Sequence, residues 1–334
     1  MKPHRVLLHA LRFDRPRLQN LSWLNAAEWR DLLRIADKEH LTLALGLHGE
    51  LALPPDIRAR IDANLAQNAE RFDRTRQLYE EIARALKASD IESVVLKGFS
   101  HWPSFSLDPR HRPQYDLDLF CLPDQVRRAR DVLLSLGYEP LDGFDGVPLD
   151  HLPAMIRKTG WQWRGDYFDV NIPLSVDLHF RLWDPGTEQI AVAGLESFWG
   201  RRKHSCIEDF CFPALDPADR LAYAALHLFR HLLRGDVQLY RVYELAHFLD
   251  ATADDFAFWH DWQNTYGESL RSIQAISFRL ACHWFGCRIA PEVRQEFDHL
   301  AEPIQRWFQI FGTAPLESKI HPNKNELWLH LSLI

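Results

Sequence analysis

The stretch "VVLKGFSHWPSFSLDPRHRPQYDLDLFCLPD", Val94 to Asp124, decides the fold. Its β-branched start, within "IESVVLKG", ends in glycine and reads as a buried strand turning sharply at Gly98. A second strand, "QYDLDLFCL", carries two aspartates one residue apart. Residues i and i+2 of a strand share a face, so Asp116 and Asp118 project together while Leu117 and Leu119 enter the core. Two carboxylates side by side repel unless a cation lies between them. Mg²⁺ suits the pair, with Mn²⁺ as the alternative, because it takes oxygen ligands from one or two carboxylates plus substrate phosphates. The competing reading is a pair of solvated aspartates on an edge strand.

Outward from this stretch, "PDQVRRARDVLLSLG" reads as a helix with Asp124 as N-cap, an apolar face of Val126, Ala129, Leu133 and Leu136, and Gly137 as C-cap. Two further strands, "WQWRGDYFDVNI" and "SVDLHFRLW" (Ser175 to Trp183), complete a β-loop-β-α-β-β core. In the latter, Asp177, His179 and Arg181 share one face opposite Leu178 and Phe180. A third carboxylate on a neighbouring strand would complete a two-metal site for phosphoryl chemistry. Asn25 followed by Glu28 opens a helix as a capping box, with Trp29, Leu32, Leu33 and Ala36 on one face. A second helix starts near Asp56 and runs to about Ala88, so the first 90 residues read as helical apart from the extreme N-terminus. From Asp216 a further helical region begins, with Tyr223, Leu226, Phe229 and Leu233 available for packing. The expected fold class is α/β (α+β): a mixed sheet at 91–205 flanked by helical regions at 1–90 and 206–334.

The formal charge of -7 across 334 residues supplies no global field for polyanions, which argues against long nucleic acid as a partner. The N-terminal apolar run is broken by His9 and is too short for a secretory or membrane segment, so a cytoplasmic protein with no membrane contact is expected. Five cysteines, Cys121, Cys206, Cys211, Cys282 and Cys287, lack zinc-site spacing and are expected as buried free thiols. The chain ends in "ELWLHLSLI", apolar to its last residue, as a truncated chain would.

In order, "VVLKGFS", "RPQYDLDLF", "LLSLGYEP" and "VDLHFRL" resemble the uncharacterised bacterial nucleotidyltransferase family of the DNA polymerase β-type superfamily. The resemblance continues through "LHLFRHLLRGDVQLYRVYELAHFLD", similar to that family's helical segment with His, Arg and an acidic residue, here Glu244. It implies a nucleotidyltransferase fold in which Asp116 and Asp118 bind Mg²⁺ and Asp177 serves as third ligand or base. The superfamily's Gly-Ser pair corresponds to Gly98 and Ser100, which implies a place for Ser100 at the triphosphate.

Beside that resemblance, Gly98 lets the backbone approach a phosphate, and Lys97 supplies a point charge. Arg112, with Arg110 and His111, forms a basic lip that would clamp a phosphate or stay solvated. Lys97 and Arg112, taken as exposed, are expected to act on phosphate charge and not on folding. His227 and His231 lie at i and i+4 on a helix, but Leu228 stands where a zinc protease needs Glu. They either pack or turn His227 toward a nucleotide, and Arg241 either joins it there or pairs with Glu244 on the helix surface. The expected function is Mg²⁺-dependent transfer of a nucleoside monophosphate from a nucleoside triphosphate such as ATP. The acceptor would be a hydroxyl-type group on a small molecule, peptide or protein. The rivals are a non-catalytic nucleotide-binding or interaction protein, and a toxin-like enzyme acting on transfer RNA.

Overall fold

The computed structural model describes residues 3–48, 53–106, 108–141 and 150–313. The apolar C-terminus and its expected truncation lie outside the described residues.

The described residues open with α1 (Pro3–Ala10), so helix begins earlier than the sequence reading expected. In α2 (Ala26–Lys38), the Asn25 side chain accepts from Ala27 N and Glu28 N while the Glu28 side chain accepts from Asn25 N, so the capping box is complete. α3 (Thr42–His48) leads to the 34-residue α4 (Pro55–Ala88). This long helix has an unusual polar side buried in the protein. Asn68 donates to the carbonyls of Arg110 and Arg112, Arg71 to those of Tyr167 and Asp169, and Arg74 to that of Val170. It thereby clamps two loops that flank the sheet.

Seven strands form one mixed sheet: β1 (Val94–Val95), β2 (Asp116–Phe120), β3 (Glu139–Pro140), β4 (Met155–Ile156), β5 (Ser175–His179), β6 (Lys203–Ile207) and β7 (Phe210–Ala214). Their order across the sheet is β3-β4-β5-β2-β1-β7-β6. The decisive pairing is parallel, between β2 and β5, with Asp118 directly opposite Asp177. Leu117, Leu119, Val176 and Leu178 are fully buried on one face, in a cluster with Phe72 and Ile82 of α4 and with Ala129 and Leu133 of α5 (Val126–Ser135). The carboxylates therefore take the other face.

Four local expectations need correction. "WQWRGDYFDVNI" is not a strand, because its aspartate side chains hydrogen-bond the nearby backbone and compete with a ladder: Asp166 accepts from Phe168 N and Asp169 from Asn171 N. The N-cap of α5 is Gln125, not Asp124, and its C-cap is Leu136. Gly137 follows in the left-handed region at φ 84°, where its N–H and that of Tyr138 bond back to Leu134 and Leu133, a Schellman closure. Cys206 and Cys211 face each other across the β6–β7 hairpin and are disulfide-bonded, so they are not free thiols; Cys121 and Cys287 are buried and free. That hairpin also carries the sheet past the expected boundary at 205.

α6 (Pro185–Glu188) precedes the hairpin. After it come α7 (Pro217–Arg234), α8 (Leu239–Ala251), α9 (Phe256–Thr265), α10 (Glu268–Phe285), α11 (Pro291–His299) and α12 (Glu302–Phe311). Asp216 caps α7 through Ala218 N. Tyr223, Leu226 and Phe229 are buried in a second core that also holds Leu7, Leu11, Leu32 and Leu33, so the first helices and the last pack together. Among the described residues no helix is long and apolar enough to cross a membrane.

Candidate functional site

Lys97 lies two residues beyond the end of β1, and the chain turns at Gly98, whose φ of 67° L-residues rarely adopt. A side chain there would also collide with Gln114. Gln114 is buried and ties the turn to the second strand: its Oε1 accepts from Phe99 N at 3.1 Å, and its Nε2 donates to Asp116 O at 2.8 Å. The sequence reading missed this brace, although alternation along "QYDLD" places Gln114 on the face of Asp116 and Asp118.

Asp118 is 2 % exposed. Lys97 Nζ lies 2.7 Å and His179 Nε2 2.9 Å from its Oδ1. Burial alone would raise the Asp118 carboxyl, but these two cations outweigh it and hold the group well below the usual carboxylate range. Burial likewise pulls His179 down, yet the hydrogen bond to Asp118 and the Asp150 carboxylate 3.5 Å from Nδ1 push it up to about 9. Asp150 is itself paired with Arg230 of α7 at 2.8 Å. A buried file of alternating charge thus runs Lys97, Asp118, His179, Asp150, Arg230.

Asp177 is the exception. Burial first, then the nearby Asp118 and Asp116, push its carboxyl up to about 7, and its Oδ1 is buried without a hydrogen-bond partner. Asp116 is half-buried, and its carboxylate forms no hydrogen bond or ion pair with the described residues. Carboxylates that repel one another, one with an orphaned oxygen, form a donor set that could hold a cation. One ligand atom each of Asp118, Asp177 and His179 lie within 4.8 Å of one another. Because His179 is held protonated between two carboxylates, it orients Asp118, and the oxygen donors that would suit Mg²⁺ are those of Asp116, Asp118 and Asp177.

α7 and α8 supply the opposite wall. Arg241 Nη1 donates to His227 Nδ1 at 2.7 Å, and His227 Nε2 lies 3.3 Å from His231 Nε2 and 3.4 Å from Lys97 Nζ. His231 Nδ1 in turn lies 2.9 Å from Asp236 Oδ1. Burial, then Lys97 and Arg241, push His227 well below its ordinary value. Both ring nitrogens of His227 therefore have neighbours within the protein.

Three sequence expectations change here. Ser100 is fully buried and its Oγ donates to Lys97 O, so it braces the glycine turn from behind. Lys97 and Arg112 are not exposed charges: their side chains are 9 % and 8 % exposed, each in a buried ion pair. Arg112 Nε donates to Glu244 Oε1 at 2.5 Å, so Glu244 pairs with Arg112 and not with Arg241 on the helix surface. Arg181 lies beyond β5 and pairs with Asp184, away from the carboxylates. Sequence reasoning also missed Asp150 and Arg230, for which no local pattern exists.

Glu244 carries a pH prediction. Burial alone would raise its carboxyl, but Arg112 and then His101 outweigh burial and hold it down at about 2, against an ordinary value of 4.5. A carboxyl depressed in the folded state stabilises the protein above its unfolded value and loses that contribution as pH falls through its folded value. Denaturant melts of wild type and Glu244→Gln should show a stability gap that narrows as pH drops from about 5 to about 3. A gap independent of pH in that window would mean that Glu244 is not held ionised by Arg112.

With this geometry in view, the sequence model of an uncharacterised nucleotidyltransferase family matches residues 25–286. The chain belongs to that family. No curated protein and no solved structure matches it. The matched range takes in the glycine turn, the carboxylate strands, α7, α8 and all of α10, so it contains every residue of this nucleotidyltransferase's candidate site.

Proposed function

We propose that this nucleotidyltransferase is a Mg²⁺-dependent enzyme that moves a nucleoside monophosphate from a nucleoside triphosphate to a hydroxyl-type acceptor on a small molecule, peptide or protein. The observation that carries the reading is Asp177, a carboxyl with an orphaned oxygen and a proton affinity near neutrality, set directly across from Asp118. A divalent cation held by Asp116, Asp118 and Asp177 would supply charge neutralisation for the triphosphate and the phosphoryl transition state. The protein's own groups do the rest. Lys97 and Arg241 meet phosphate charge from the two walls, while the left-handed turn at Gly98 brings the backbone close. Asp177 takes the acceptor's hydroxyl proton as its oxygen bonds to the α-phosphorus and the bond to the departing pyrophosphate breaks.

The triphosphate and the aspartates are all negative, so binding should require the shared cation. Calorimetric titration with each nucleoside triphosphate should give saturable binding with Mg²⁺ that is lost in chelator. Equal affinity in both conditions would remove the metal site. Incubation of the protein with cell extract, Mg²⁺ and each nucleoside triphosphate should yield a species heavier by one nucleoside monophosphate. Mg²⁺-dependent binding without any such product would favour the non-catalytic nucleotide-binding protein. A product found only on transfer RNA would favour the toxin-like alternative.

A further inference from the structure

A pocket of about 140 Å³ lies between α3, the 105–113 loop and α8. Its wall is built from Phe13, Leu41, Ala44, Phe105, Tyr240 and Tyr243. It adjoins the carboxylates: Arg112 lines it, and both Arg112 and Tyr240 are close enough to Asp116 to feel its charge. Nothing in the transfer of a phosphoryl group uses an apolar chamber at that place.

We propose that this pocket binds a single aromatic ring of the acceptor molecule, a ring bearing at most one polar substituent. The term acceptor rests on the nucleotidyl-transfer reading; the ring site itself does not. Size is the first argument, because an engineered apolar cavity of ~150 Å³ stays dry and takes up benzene. Chemistry is the second. The polar groups around the pocket are already spent on the protein: Arg112 and Glu244 on each other, Ser106 Oγ on Asp108 O at 3.3 Å, and His247 Nδ1 at 3.3 Å from Ser104 O. Among the described residues of the lining, the buried His111 Nδ1 has no hydrogen-bond partner. A nucleobase would bring several edge donors and acceptors into this wall and leave most of them unpaired. A phenyl or phenol ring leaves none, and a phenol hydroxyl would satisfy His111. Tyr240 and Tyr243 present aromatic surface for such a ring, in the edge or offset contacts that aromatic pairs prefer.

The test uses p-cresol as probe against the full chain, without nucleotide or metal, followed by saturation-transfer NMR and titration. Saturable binding is expected. Ala44→Phe, which fills the pocket, should weaken it at least tenfold. Leu47→Asp places a charge at the exposed mouth, where folding is not at stake, and should weaken it likewise. Saturating Mg·ATP should not displace p-cresol from wild type. The proposal is overturned if wild type does not bind p-cresol, if both variants bind it as wild type does, or if Mg·ATP displaces it, which would make the pocket the nucleobase's. Failure of wild type to bind Mg·ATP in a separate titration would sink the nucleotidyl-transfer reading, while the p-cresol series would still decide the ring site.

Discussion

Asp177→Asn should lower product formation by at least ~10²-fold, the lower end of what a general base contributes, while the protein stays folded. Asn keeps the shape of the side chain and removes both its charge and its capacity to take a proton. Stability should hold or rise slightly, because the wild-type carboxyl is pushed up by burial and by Asp118 and Asp116, and a neutral amide relieves that conflict. Binding of the Mg²⁺-nucleotide should weaken much less than turnover, since Asp116 and Asp118 remain and the lost interaction matters most in the transition state. Initial rates on whichever acceptor the mass screen reveals, together with a melting curve, make the measurement. Wild-type rates in the variant would show Asp177 to be an ordinary strand residue.

Arg112→Met should cost about 3–5 kcal/mol of folding stability, because it leaves Glu244 buried without its counter-charge. This reverses what an exposed arginine would do, for which about 0–1 kcal/mol is usual. The pair is not needed for stability as such. Replacing both members, as in Arg112→Met with Glu244→Leu, should recover most of the loss, since apolar substitutes for a buried ion pair are often neutral or better. Urea titrations of the two single variants and the double variant close the cycle. A single variant as stable as wild type would mean that water reaches the pair and that its burial has been overstated.

What could be read from residues alone was local and periodic. The Asp116/Asp118 face follows from strand alternation, the α2 start from its capping box, and the α7 start from Asp216; each depends on residues a few positions apart. The placement of Asp177 opposite Asp118 needed the β2–β5 register, which alternation permits but does not choose. What escaped was either competitive or long-range. The stretch 161–172 has strand-forming residues, and its own Asp side chains outbid the ladder for the backbone. Asp150 and Arg230 join the site through topology, 80 residues apart in sequence and in direct contact in space. Burial of Lys97 and Arg112 was invisible for a related reason, since a cation's exposure depends on which distant carboxylate reaches it.

Gln114 gives the protein a built-in spectator. One amide holds the Phe99 N–H at the glycine turn and the Asp116 carbonyl on the carboxylate strand, so neither end can shift without the other registering it. The Phe99 amide proton is therefore a reporter on events at the carboxylates, although it belongs to a different strand end. Its hydrogen-exchange rate should slow when ligand occupies the cleft and quicken in Gln114→Ala, a readout of occupancy that requires no knowledge of the acceptor.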